Sequence, residues 1–88
     1  MPQEIMRTRS AQGHLIITDT AIIIELAVPG AGHRDVLMRQ FLTGVDVKTV
    51  FITAATITFY GQGQQKLVAT MVKAKEAKRI QALLLGLP

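Results

Sequence analysis

Fourteen residues, Gly13-His14-Leu15-Ile16-Ile17-Thr18-Asp19-Thr20-Ala21-Ile22-Ile23-Ile24-Glu25-Leu26, restrict the fold of this chain more than any other stretch. Two apolar, β-branched runs flank one short polar knot, Thr18-Asp19-Thr20. A membrane helix would not carry Asp19 and Glu25 there, and no apolar run in the chain approaches the ~20 residues a span needs. A soluble amphipathic helix would show polar residues at a period of 3.6, and this stretch shows none. Isoleucine-rich runs suit strands. Thr and Asp side chains hydrogen-bond back to nearby backbone and so support a tight turn. The stretch therefore predicts a β-hairpin, residues 14–18 and 21–27.

The same periodicities organise the rest of the chain. Residues 4–12 (EIMRTRSAQ) fit a short first strand that Gly13 breaks. Val28-Pro29-Gly30-Ala31-Gly32-His33 reads as a loop, because Pro and Gly together punctuate strands. Residues 35–41 (DVLMRQF) fit a strand or one helical turn. From Val45 to Phe51, Val45 and Val47 alternate with Asp46 and Lys48, the mark of a strand with one wet face. Residues 55–60 alternate again, with Ile57 and Phe59 on one side, so Phe59 belongs to the core. Gly61-Gln62-Gly63-Gln64-Gln65 is a loop of hairpin length, and residues 66–72 return as a strand. The last segment changes period. Ala77, Ile80, Leu84 and Leu87 fall three or four apart, with Leu83 beside them, which is one face of a helix over about 73–85. Gly86 and Pro88 stop it in the expected order. Strands followed by one amphipathic helix have a simple solution: the sheet curls and the helix closes its open end with the Ile80/Leu84 stripe.

Eighty-eight residues make one small domain, 1–88, which buries roughly two-thirds of the surface its unfolded form exposes. There is no cysteine, so disulfides and cysteine metal sites are excluded. Met1-Pro2-Gln3-Glu4 has no uninterrupted apolar segment behind it, which argues against a signal peptide, and the reading is a soluble cytoplasmic protein. The net charge is +4, and its location matters more than its size. Residues 1–13 carry +1, residues 14–72 are neutral, and residues 73–88 carry +3. The basic excess therefore sits at the two ends.

The order of elements, and some specific residues, resemble the bacterial pleckstrin-homology-like (PH-like) domains. That family has a first strand, then a Gly and a hairpin centred on a leucine-Thr-Asn/Asp-x-x-leucine-like pattern, matched here by Gly13 to Ile23. It continues with an apolar-x-x-Val step, matched by Leu42-Thr43-Gly44-Val45, then further strands and a C-terminal helix that begins among Lys, Glu and Ala. The resemblance covers about residues 4–85. It implies a mostly β fold: a small barrel or strongly bent antiparallel sheet of six to seven strands, capped by one C-terminal helix. Where the family often has Lys or Arg after the Thr-Asn pair, this chain has Thr20 and Ala21, so the resemblance supplies no anion-binding residue there.

Chemistry-bearing motifs are sparse. Gly30-Ala31-Gly32-His33 lacks the Gly-Lys-Ser/Thr ending of a phosphate loop, and Gly61-Gln62-Gly63 fares no better. His14 and His33 are the only histidines, and no spacing of carboxylates around them makes a metal cluster. Ser10 is the only serine and has no marked partner base. Asp19, Glu25, Asp35 and Asp46 lie on different segments, so no catalytic carboxylate pair is nominated. The expectation is no catalytic residue, no cofactor and no metal.

Two surface readings remain. The basic residues Lys73, Lys75, Lys78 and Arg79 either form a solvated helix face or dock on anionic lipid, and Arg7 and Arg9 extend the patch if the first strand lies beside the helix. Nucleic acid is disfavoured, because no aromatic stacking platform or basic stripe runs through the strands. Self-association has a separate motive. Hydrophobic residues make up 49% of a chain too small to hide them all. Leu83, Leu84 and Leu85 cannot share one helix face. Ile22-Ile23-Ile24 points both ways, so Ile22 and Ile24 join Leu83 and Leu85 as candidate contacts with another copy. Open edge strands offer the same opportunity. The sequence thus predicts a non-catalytic binding or assembly module, acting through contacts with itself or another protein. Peripheral docking on an anionic membrane surface is the alternative.

Overall fold

The computed structural model describes residues 3–26 and 34–86. The Gly30-Ala31-Gly32-His33 loop, Leu87 and Pro88 lie outside the described residues. The elements are β1 (Glu4–Arg9), β2 (Gly13–Thr18), β3 (Ala21–Leu26), β4 (Arg34–Met38), β5 (Leu42–Phe51), β6 (Ala54–Gly61), β7 (Lys66–Lys73) and α1 (Ala74–Leu85). A single 3-10 turn at Arg39–Phe41 precedes β5, and a tight turn at Gln62–Gln64, where Gly63 and Gln64 both take positive φ, precedes β7. Residues 35–41 thus hold both of the shapes their composition fits, a strand and then one helical turn. The strands form two antiparallel sheets, β1-β2-β3-β4 and β5-β6-β7. The chain is therefore mostly β, an open and strongly bent arrangement closed by the C-terminal helix.

The polar knot in the first hairpin is a hydrogen-bonded junction. Asp19 and Thr20 both keep negative φ, so this is not the primed two-residue turn that glycine or asparagine favours. Instead the buried Thr18 hydroxyl accepts from the Ala21 N–H at 2.8 Å and the Thr20 N–H at 3.2 Å. Two further strands of chain converge on it. Gln3 and Asp19 exchange bonds, Asp19 N–H to Gln3 O and Gln3 N–H to Asp19 Oδ1, both at 3.0 Å. Arg39 donates its N–H to Thr20 O at 2.8 Å and its guanidinium to Thr18 O at 3.1 Å. The knot holds the start of β1, the β2–β3 hairpin and the exit from β4 together.

Register then decides what the isoleucine runs do. Ile17, Ile22 and Leu37 are cross-strand neighbours on the inner face, as are Leu15 and Ile24. Ile22 and Ile24 are 0% and 2% exposed and belong to the core. They present no surface to a second copy, which corrects the expectation for these two residues. The alternation of a strand sends only Ile23 outward. There Arg7, Ile16, Ile23 and Val36 lie in one cross-strand row. Glu4–Arg7 and Glu25–Arg34 ion pairs stand over this outer face, at 2.8 and 3.0 Å. Long charged side chains can cover apolar surface while keeping their heads in water, and Ile16 is buried on this side of the sheet.

The core continues through Val45, Ala55, Ile57, Phe59, Ala69 and Val72 of the second sheet. The helix adds Ala77 and Ile80, with Leu84 packed against them. Gly86, at φ 68°, ends the helix in the left-handed conformation, its N–H bonded to Ala82 O. Gly61 sits where the two sheets approach closely: a Cβ there would fall 2.6 Å from Leu37 Cδ1. At another corner Gln12 grips β7. Its side chain accepts from Thr70 N–H at 3.0 Å and donates to Thr70 Oγ1 at 2.9 Å. The next residue, Met71, has φ 57°, an unfavourable left-handed conformation for a side chain of its size. The register slip on β6 between Ala55 and Ile57 falls opposite it.

Thr18→Val keeps the shape of the side chain and removes the hydroxyl. Leaving the knot's buried backbone groups unpaired should cost about 1–3 kcal/mol, and Thr18→Ser should cost much less. Thermal unfolding of the two variants checks this. Equal stability would mean that the hydroxyl does not hold the turn.

Candidate functional site: an open seam and an apolar hairpin tip

The sheets are tied at corners but not along β1. Among the described residues no backbone hydrogen bond joins β1 to β7, although β7 runs beside it and Ala11 N–H, just past β1, donates to Thr70 O at 2.8 Å, so the outer edge of β1 is left unbonded along a narrow seam. One hollow in this seam is lined by Arg7, Thr8, Arg9, Met71, Lys73 and Glu76. A second is lined by Ile5, Met6, Arg79, Ala82 and Leu83. The seam is thus polar and basic along one half and apolar along the other.

This arrangement divides the six basic residues expected to act together. Arg7, Arg9 and Lys73 share the polar half, and Arg79 borders the apolar half. Lys75 and Lys78 line neither hollow, although both are exposed. At 100° per residue, Lys78 points about a quarter turn away from Arg79. Two of the cations are already matched. Arg7 donates to the Glu4 carboxylate at 2.8 Å, and this bond holds the Glu4 carboxyl below its ordinary range. The same carboxylate holds the Arg7 guanidinium above its own range. Arg79 meets Glu76 at 3.5 Å. Arg9, Lys73, Lys75 and Lys78 form no ion pair among the described residues.

Leu83 and Leu85 are 40% and 44% exposed, on opposite flanks of the buried helix stripe. Leu83 lies beside Ile5, itself 49% exposed on β1. The larger apolar surface is elsewhere. Val50, Phe51 and Ile52, at the tip of the β5–β6 hairpin, are 51%, 60% and 97% exposed. Periodicity alone does not single out this triplet, because it continues the strand that starts with Val45 and Val47. The signal was present: strict alternation stops at Thr49, and three consecutive large apolar residues follow.

His14 is half-buried in β2, opposite Arg9 and Glu25. His33 lies outside the described residues. Among the described residues no three His, Cys, Asp or Glu side chains cluster with metal-binding geometry, and no helix is long and apolar enough to cross a membrane. Among the described residues the buried polar ones are Thr18 and Thr58, and no buried side-chain nitrogen or oxygen lacks a partner. Comparison with protein-family models, characterised proteins and solved structures yields no match.

Because Arg7 lowers the Glu4 pKa, the pair adds stability above the ordinary glutamate pKa and loses it as pH falls through the lowered value. Arg7→Ala should raise the Glu4 titration midpoint back toward its ordinary 4.5, read by carboxyl NMR. An unchanged midpoint would show that the pair does not persist in solution.

Proposed function

We propose that this chain is a non-catalytic binding and assembly module of PH-like architecture, working through protein–protein contacts and first with copies of itself. One observation carries the reading: the outer edge of β1, left without ladder bonds although β7 runs alongside, borders an apolar flank built from Ile5, Met6, Ala82 and Leu83. An unpaired edge strand is a template for another strand, since its outward N–H and C=O groups still need partners. The neighbouring apolar flank adds the non-directional part of the attraction. Two-fold pairing suits this strand. β1 begins with Glu4 and ends with Arg9, so antiparallel pairing of two copies carries the acid of one toward the base of the other. Leu85, on the far flank of the helix, extends the exposed apolar surface available to a further contact.

Light scattering over a concentration and salt series tests this. The expected result is a mass above that of one chain at high concentration, with little sensitivity to salt. Ile5→Asp and Leu83→Asp should each weaken association about tenfold or more. Both residues are substantially exposed, so the folded subunit should survive, as thermal melts would verify. A wild-type monomer throughout the series would overturn the reading.

A further inference from the structure

We propose that the β5–β6 hairpin is a membrane-insertion tip that enters the interface of an anionic bilayer, with the lysines behind it lying against the lipid phosphates. This goes beyond the assembly reading and uses a different surface.

The hairpin outruns the core. From Lys48 through Thr53 every residue is exposed, and Ile52 at the turn is 97% exposed. The apolar triplet Val50-Phe51-Ile52 therefore projects as a convex point. A folded protein partner would need a matching pocket for such a point, whereas the acyl region of a bilayer conforms to any shape.

Charge supplies the second argument. Lys48 lies four residues before Ile52 on β5, and Lys73 pairs in register with Ala54, two residues after it. The helix starts at the same place, its first N–H, that of Ala74, donating to Thr53 O at 3.0 Å. Lys75 follows in the first helical turn, and the helix then runs back from the tip, Gln81 Nε2 reaching Val45 O at 3.0 Å, so Lys78 lies one turn farther from it. At about 3.4 Å per strand residue, Lys73 and Lys48 stand roughly 7 and 14 Å behind the apex. Flexible lysine stems can bring their ammonium groups to headgroup depth when an apolar element enters roughly 5–10 Å. Two acids lie nearby. Asp46 is two residues further back than Lys48, and Glu76 is held by Arg79 at 3.5 Å. The base of the tip is left with a positive excess.

The chain contains no tryptophan, so Ile52→Trp places a single indole at the apex. Vesicles of phosphatidylcholine with about a third phosphatidylserine are the probe, and pure phosphatidylcholine vesicles the reference. Indole emission should shift to the blue with the anionic vesicles and hardly at all with the neutral ones. In co-sedimentation, Phe51→Asp with Ile52→Asp should lower partitioning about tenfold or more. Lys48→Gln and Lys73→Gln should each lower it about fivefold at low salt. Val36→Gln, an exposed position on the outer face of the first sheet and outside both this surface and the β1 seam, should bind vesicles as the wild type does. Three results would overturn the proposal. The first is no binding to anionic vesicles. The second is binding that depends on the lysines but not on Phe51 and Ile52, a purely electrostatic contact. The third is a tip variant that changes the oligomer mass while vesicle binding stays intact, which would assign the tip to protein contacts.

Discussion

The hydroxyl of Thr18 is the point on which this architecture turns. It is buried, and it satisfies backbone groups that a turn without glycine leaves unmet. Its surroundings tie together residues far apart in sequence: Gln3 through Asp19, and Arg39 through the carbonyls of Thr18 and Thr20. These bonds hold β1 and β4, the two edges of the first sheet, at the same corner. With those edges placed, the 3-10 turn after β4 delivers the chain into the second sheet. There Leu37 closes on Gly61, where a Cβ would fall 2.6 Å from Leu37 Cδ1 and force that side chain to shift.

Everything exposed follows from how the two sheets meet. They are pinned at corners, by Gln12 on Thr70 and by Leu37 over Gly61, and left unjoined along β1. A closed barrel would have consumed that edge. The open version keeps it, with the helix flank of Ala82 and Leu83 alongside. The second sheet has the opposite excess. The β5–β6 hairpin is longer than the core it covers, so its last apolar residues have no interior to enter. One small core thus leaves two apolar surfaces of different shape, a linear edge and a projecting point. Their shapes suit different partners, which is why the assembly and bilayer readings rest on separate residues.

Periodicity made the local structure legible. The Thr18-Asp19-Thr20 hairpin, the wet-faced strand at Val45–Lys48 and the Ala77/Ile80/Leu84 stripe all appear where their spacing predicts. What spacing did not show was which side of a strand finds company. Ile22 and Ile24 have surfaces as apolar as that of Ile52, yet they are core and it is solvent-exposed. The difference is tertiary: Ile22 lies between Ile17 and Leu37, while Ile52 sits past the last residue the core can reach. The basic residues show the same limit. Arg7 and Lys73 line one hollow of the seam, and Lys75 and Lys78 stand apart from it, because the placement of β1 beside β7 is not written in either segment alone. The partners of the polar knot, Gln3 and Arg39, were illegible for the same reason.

Hydrogen exchange read by mass spectrometry over a range of protein concentrations tests most directly the claim that the open edge is a contact surface. Peptides covering Glu4–Arg9 should gain protection as concentration rises, and those covering the apolar flank of α1 should follow. Peptides at the hairpin tip should not change without lipid. If exchange in β1 is independent of concentration, or if protection appears only at the tip, the open edge is not where this protein meets its copies.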